Sequence, residues 1–194
     1  MVSPAQLSVL RMIPIARRIA RASHGQLAVF RLLNARRGWE AAHTPVDDAR
    51  WALHELAALF PRRLPVCLVG HSLGGRAALL AAGEADVRSA VALAPWVLAT
   101  DRPRGVAGKP ILIIHGTGDR VASPLRSAEL ATRLRGTADV RYVTVPGGRH
   151  AMLAHHRKFS RPATAFATST LLSCRAGHAN RSAGARLGAP ESAD

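Results

Sequence analysis

The sequence predicts an α/β protein: a mostly parallel central sheet with helices on both faces. Three observations carry that prediction. From Leu64 onward, short apolar runs alternate with helical patterns, the order that builds right-handed βαβ crossovers. The runs Val87–Ala94 and Ile111–His115 are largely apolar, with Ala90–Ala94 and Ile111–Ile114 uninterrupted, as strands covered on both faces are. Finally, the chain has 194 residues, 48% of them apolar. That length favours a single domain able to bury roughly 70% of its unfolded surface.

Taken in order, Ser3–Ala22 has helical texture, with Met12, Ile15, Ala16 and Ile19 on one side and Arg11, Arg18 and Arg21 on another. Pro14 either kinks this helix or opens a new first turn. His24-Gly25 ends it. Gln26–Leu33 is a short apolar run suited to a buried strand, and Asn34–Pro45 is a loop holding Arg36, Arg37, Gly38 and Trp39. Pro45–Phe60 reads as a helix with Asp47 and Asp48 in its first turn, where the helix dipole favours them. Leu64–Val69 is a strand, Leu73–Ala82 a helix, and Val87–Ala94 and Ile111–His115 are strands. Pro124–Leu134 is a helix capped by Ser123 with proline in its first position. Asp139–Val145 is the last strand, and a final helix begins at Ala151. The single domain spans residues 1–173. Residues 174–194, rich in Ala, Gly, Ser and Arg, read as a disordered tail.

Composition narrows the function. The charge of +15 comes from 27 basic against 12 acidic residues and raises anionic partners. Lys109 and Lys158 are the only lysines, and the arginines are scattered as singles and pairs. With aromatics at 4%, no stacking platform for single strands is evident. The expectation is weak, salt-dependent attraction to polyanions and no specific nucleic-acid site. The longest uncharged stretches, such as Ser89–Thr100 and Pro162–Cys174, are shorter than the roughly 18 residues that suggest a membrane span. Cys67 and Cys174 read as free thiols in a reducing compartment, with the cytoplasm as default. An Arg-rich start without acids is also compatible with a transit peptide, but its apolar face favours a structural helix.

The chemistry concentrates at Gly70-His71-Ser72-Leu73-Gly74, which follows an apolar strand and opens a helix. A chain turning that sharply puts Ser72 in a strained conformation that only small neighbours permit, with Gly70 and Gly74 supplying the space and Gly75 letting the helix approach the sheet. The turn exposes the hydroxyl at the carboxyl edge of the sheet, beside a helix N-terminus suited to an anion. A capped, glycine-rich turn is the bland alternative. A serine hydroxyl needs a base, and the base an orienting acid. Gly116-Thr117-Gly118-Asp119 places a carboxylate just beyond one strand, and Pro146-Gly147-Gly148-Arg149-His150 places an imidazole just beyond the next.

In the order Ser72, Asp119, His150, these motifs resemble the α/β-hydrolase family. The likeness is to its small serine-esterase-like or dienelactone-hydrolase-like members without a large cap, over about Gln6 to Leu172. The resemblance implies Ser72 as nucleophile, His150 as general base and then acid, and Asp119 as its orienter. The amide of Leu73 becomes an oxyanion donor, the substrate a small ester, and no metal or cofactor is implied. Trp96 and Trp39 follow strand ends on the same rim and are candidates to line an acyl pocket, or plain packing. His71 is expected to make local contacts and His115 to be structural. His155 and His156 are rival bases, Asp101 and Asp139 are placed doubtfully, and Cys67 is core.

The same resemblance implies a second oxyanion donor from a His-Gly loop after an earlier strand, and the sequence offers neither. That strand would lie between the equivalents of Gln26–Leu33 and Leu64–Val69. The expectation is an N-terminally truncated hydrolase-like chain. Either its true start lies upstream, which the complete Ser-Asp-His set favours, or it is a weakened or inactive hydrolase-like fragment serving as a binding or scaffold protein. An amide near Gly38 is a conceivable substitute donor.

Overall fold

The computed structural model describes residues 7–184. Helices α1 (Leu7–Ala22) and α2 (Pro45–Leu59) precede a regular succession of elements: β1 (Val66–His71), α3 (Leu73–Leu80), β2 (Val87–Leu93), β3 (Pro110–Gly116), α4 (Pro124–Leu134), β4 (Asp139–Val145) and α5 (His156–Gly184). The four strands lie in sequence order, β1-β2-β3-β4, and every pairing is parallel. Consecutive parallel strands need crossovers, so all their carboxyl ends, and the loops that follow them, meet at one edge of the sheet.

The alternation of side chains along β2 and β3 decides where the helices go. Ala90, Ala92, Ile111 and Ile113 face one way and are covered by Leu79 of α3 and by Leu130, Ala131 and Leu134 of α4. Val91, Leu93, Leu112 and Ile114 face the other way, against Ile15 and Ile19 of α1 and Phe159, Ala163 and Ala167 of α5. The prediction of helices on both faces therefore holds. Helix α2 packs Val46 and Ala49 onto Ala77 of α3 and Ala81 just beyond its end. It begins with a capping box: the Thr44 hydroxyl accepts from the Val46 amide at 3.3 Å, and Asp47 accepts from the Thr44 amide at 2.7 Å. The buried Asp48 carboxylate accepts from the Ala35 amide at 3.0 Å and bonds the His43 ring at 2.7 Å, pinning the preceding loop.

Helix α4 and strand β4 occupy the bounds the sequence predicts. Ser123 caps α4 as expected, its hydroxyl accepting from the Arg126 amide at 3.3 Å. Helix α1 runs through Pro14 without a break. Strand β1 starts at Val66 rather than Leu64, and α5 starts at His156 rather than Ala151, after a turn through residues 151–155.

Two differences are larger. Gln26–Leu33 is not a strand: Ala28–Asn34 runs without regular structure, and Phe30, Leu32 and Leu33 are exposed. Apolar residues make a strand only when their backbone groups pair with a neighbouring strand, and among the described residues this segment does not pair with β1, whose outer edge stays open. Second, α5 continues past Cys174 to Gly184, into the segment expected to be disordered. Arg175, Ala176, Ala179 and Arg181 are good helix formers that extend an existing helix without an apolar face. The rest of the expected tail, 185–194, lies outside the described residues, as does the side chain of Cys174. No helix among the described residues is long and apolar enough to cross a membrane.

Candidate active site

Ser72 sits between β1 and α3 with φ 56° and ψ −120°, a conformation that costs a residue with a side chain of order 1–3 kcal/mol. The surrounding backbone holds it there. The Ser72 amide donates to Leu93 at 3.0 Å, and its carbonyl accepts from Arg76 at 3.0 Å and Trp96 at 3.1 Å. The tightest approach is at Gly70, where a Cβ would stand 2.1 Å from the Gly74 carbonyl oxygen. At Gly75 a Cβ would meet Pro95 at 3.1 Å, whereas at Gly74 it would meet nothing within 4 Å. Gly70 and Gly75, not Gly74, are therefore the positions whose missing side chains permit the turn, because it is the backbone of Gly74 that Gly70 approaches.

The loops after β3 and β4 are joined as closely. The Gly118 amide donates to Gly148 at 3.0 Å and the Thr117 amide to Val145 at 3.0 Å. A Cβ on Gly116 would lie 2.1 Å from the Gly148 carbonyl oxygen. This contact brings Asp119 and His150 together. His150 Nδ1 is 2.8 Å from Asp119 Oδ2, and His150 Nε2 is 2.9 Å from Ser72 Oγ. Those distances fit a ring that donates through Nδ1 to the carboxylate and accepts the serine proton at Nε2. Asp119 Oδ1 accepts from the amides of Val121 at 2.8 Å and Ala122 at 2.9 Å. Burial alone would raise the Asp119 carboxyl, but the Ala122 amide, the His150 ring and the Val121 amide together hold it below its ordinary value.

Two further histidines touch this group. The buried His71 donates from Nε2 to the His150 carbonyl at 2.8 Å, and the two rings lie 4.9 Å apart. Its remaining nitrogen, Nδ1, is buried without a partner. Burial pushes His71 down to about 4, so the ring is neutral at ordinary pH. His115, fully buried, bonds Asp119 Oδ2 through Nε2 at 3.1 Å and Ser127 Oγ through Nδ1 at 2.8 Å. Sequence reasoning missed both contacts. Adjacency to Ser72 and Gly116 was the available signal, but spacing alone gives no direction to a ring.

The other candidates fall elsewhere. Asp101 forms a buried ion pair with Arg76 at 2.7 Å, and Arg76 in turn lies 3.9 Å over the ring of Trp39. Trp39 thus presents one face to a guanidinium, while Trp96, 41% exposed, stands beside the Ser72 carbonyl. Asp139 opens β4, at the amino end of its strand and away from Ser72. His155 lies near Gly147 and His156 begins α5, and neither contacts Ser72 among the hydrogen bonds of the described residues. Cys67 packs against the α1–α5 side of the sheet, and burial raises its thiol to about 11, outside the range of a nucleophile. Leu73 is the first residue of α3, so its amide is among those left without an intrahelical partner. Gly38 has φ 79° and open space around it, and no hydrogen bond ties it to the elbow. Among the described residues, no group of three His, Cys, Asp or Glu gathers as a metal site would.

Solved structures resemble this architecture throughout. Arabidopsis thaliana SOBER1 matches with a TM-score of 0.66 and 19% identity, over 84% of this chain and 93% of its own. A protein of unknown function from Agrobacterium tumefaciens, named as a candidate α/β hydrolase, matches with a TM-score of 0.65 and 18% identity, over 89% of this chain and 80% of its own. The chain has the α/β-hydrolase fold. Est1E from Butyrivibrio proteoclasticus shares this hydrolase fold at a TM-score of 0.57 and 14% identity, over 84% of this chain and 81% of its own. No family model matches the sequence, and no curated protein matches it.

Proposed function

We propose that the chain is a serine hydrolase that cleaves a small carboxylic ester through an acyl-enzyme. One observation carries the reading: a single imidazole, that of His150, reaches Ser72 Oγ at 2.9 Å with one nitrogen and Asp119 at 2.8 Å with the other. In the proposed cycle Ser72 Oγ attacks the acyl carbonyl carbon and its proton passes to His150 Nε2. The tetrahedral oxyanion collapses, the alkoxide leaves with that proton, and the acyl group stays on Ser72. Water then attacks the acyl carbon, gives a proton to His150, and releases the acid as the serine is reprotonated. Asp119 holds the ring in the Nδ1–H form throughout.

The oxyanion faces the Leu73 amide at the start of α3. Among the described residues no second donor is evident, and loss of one such donor costs about 2.7–4 kcal/mol. The proposed enzyme is therefore slow in turnover, and exposed Trp96, whose backbone amide bonds the Ser72 carbonyl, is the candidate to meet the acyl group. A fluorophosphonate probe tests the reading, because it phosphonylates an activated serine without needing the natural substrate. Wild type labels and Ser72→Ala does not; equal labelling of the two rules the assignment out. Labelling without hydrolysis of any small ester would instead support a binding protein built on a hydrolase fold.

A further inference from the structure

We propose that His115 is a positioning residue of this site, supplying the Asp119 carboxylate with a second imidazole donor that fixes its orientation and limits how strongly it draws on His150. The inference deepens the serine-hydrolase reading and rests on it for its catalytic consequence.

An ionised carboxylate offers about four acceptor sites. Oδ1 uses two, on the amides of Val121 and Ala122, and Oδ2 uses two, on His150 and His115. The carboxylate is thus saturated, with its side chain fully buried. The four contacts come from three stretches of chain: two from the Asp119 loop, one from the end of β3 and one from the loop after β4. Rotation of the carboxylate would break all four at once.

The Asp119 carboxylate sets the direction of the His115 proton, because the Ser127 hydroxyl on the far side can either donate or accept. Ser127, buried on α4, stands 2.8 Å from Nδ1. A neutral imidazole carries one N–H. If it sat on Nδ1, the lone pair of Nε2 would face the Asp119 lone pairs at 3.1 Å in a dry interior, which is repulsive. With the proton on Nε2, that nitrogen donates to Asp119 and the Ser127 hydroxyl donates to Nδ1, so both contacts are satisfied. Burial, the larger influence, holds the ring below its ordinary value against the attraction of Asp119, and His150 is the other titratable group acting on it. His115 is therefore a neutral donor, not a counter-ion. Because it shares Oδ2 with His150, it withdraws part of the carboxylate's pull on the catalytic ring.

The two amide variants separate the two nitrogens. The side-chain nitrogen of glutamine stands close to where Nε2 was, and that of asparagine close to where Nδ1 was. His115→Gln therefore keeps a donor to Asp119, and His115→Asn removes it. In fluorophosphonate labelling of Ser72 across pH, His115→Asn should react roughly ten-fold more slowly, the loss of one hydrogen bond to a charged group. Its acidic limb should move to higher pH, because the carboxylate, relieved of one donor, stabilises a protonated His150 more. His115→Gln should stay within about three-fold of wild type with the limb unmoved. Equal losses in the two variants with an unmoved limb would make His115 a space-filling residue and overturn the proposal.

Nitrogen NMR of the imidazole rings in the wild-type protein reads the same claim without activity or substitution. His115 in the Nε2–H form supports it, and His115 in the Nδ1–H form overturns it, even if His115→Asn does not fold. Failure of the hydrolase reading shows separately, as absence of Ser72-dependent labelling in the wild type.

Discussion

The chain before Pro65 and the chain after it were built by different rules. After Pro65 every apolar run that reads as a strand becomes one, and Ile111, Ile113 and Ile114 are completely buried. Before it, the equally apolar Gln26–Leu33 stays irregular, leaving Phe30 at 56%, Leu32 at 40% and Leu33 at 42% exposure. The difference is not hydrophobicity but company. Strands β2 and β3 each have a neighbour on both sides, whereas β1 pairs on one side only. What order the first region has comes from helices and from one buried carboxylate, Asp48, that gathers Ala35 and His43.

Mutations that remove comparable chemistry from each region sharpen that contrast. Ile113→Ala, at the centre of the sheet, should cost about 2–5 kcal/mol in denaturant unfolding, the transfer loss plus a cavity. His71 is next. Its ring is neutral in the folded protein down to about 4, against an ordinary value of 6.5. The unfolded chain therefore binds the extra proton between those limits, and stability falls as pH falls through that window. Wild type should lose about 3 kcal/mol there, and His71→Gln, which keeps a donor for the His150 carbonyl but cannot titrate, should lose that much less.

In the first region, Asp48→Ala should cost about 1–3 kcal/mol by stranding the Ala35 amide and freeing the 34–43 loop, read by hydrogen exchange and unfolding together. Smallest of all, Leu33→Ser should change stability by no more than about 0.5 kcal/mol, as for an ordinary surface position. If Leu33→Ser costs as much as Ile113→Ala, the segment is packed as tightly as a core strand and the contrast between the regions fails.

Much of the later region was legible because its signals are local. Ser123 and Pro124 announce the start of α4, largely apolar runs mark β2 and β3, and glycines flank each loop at the rim. The Ser72–Asp119–His150 grouping followed from a topological argument, that the ends of parallel strands share one edge. What was not legible depends on direction. His71 and His115 are single residues whose roles follow from which way a ring points, and Trp39 faces Arg76, thirty-seven positions away in the numbering, across two elements. Gly74 shows the same limit, because the sequence offers it equally with Gly70 as a small residue of the turn, while the close approach falls on the missing side chain of Gly70 alone.

By itself the sequence determined the alternation of strand and helix, the turn that presents Ser72, and the order in which Asp119 and His150 follow it, because periodicity, capping and steric space are properties of neighbouring residues. Only the tertiary structure decided that Gln26–Leu33 is not a strand and that Asp119 serves two imidazoles at once. A strand requires a neighbouring strand to pair with, and a hydrogen bond between distant loops requires their backbones to meet; neither condition is written at the positions it governs.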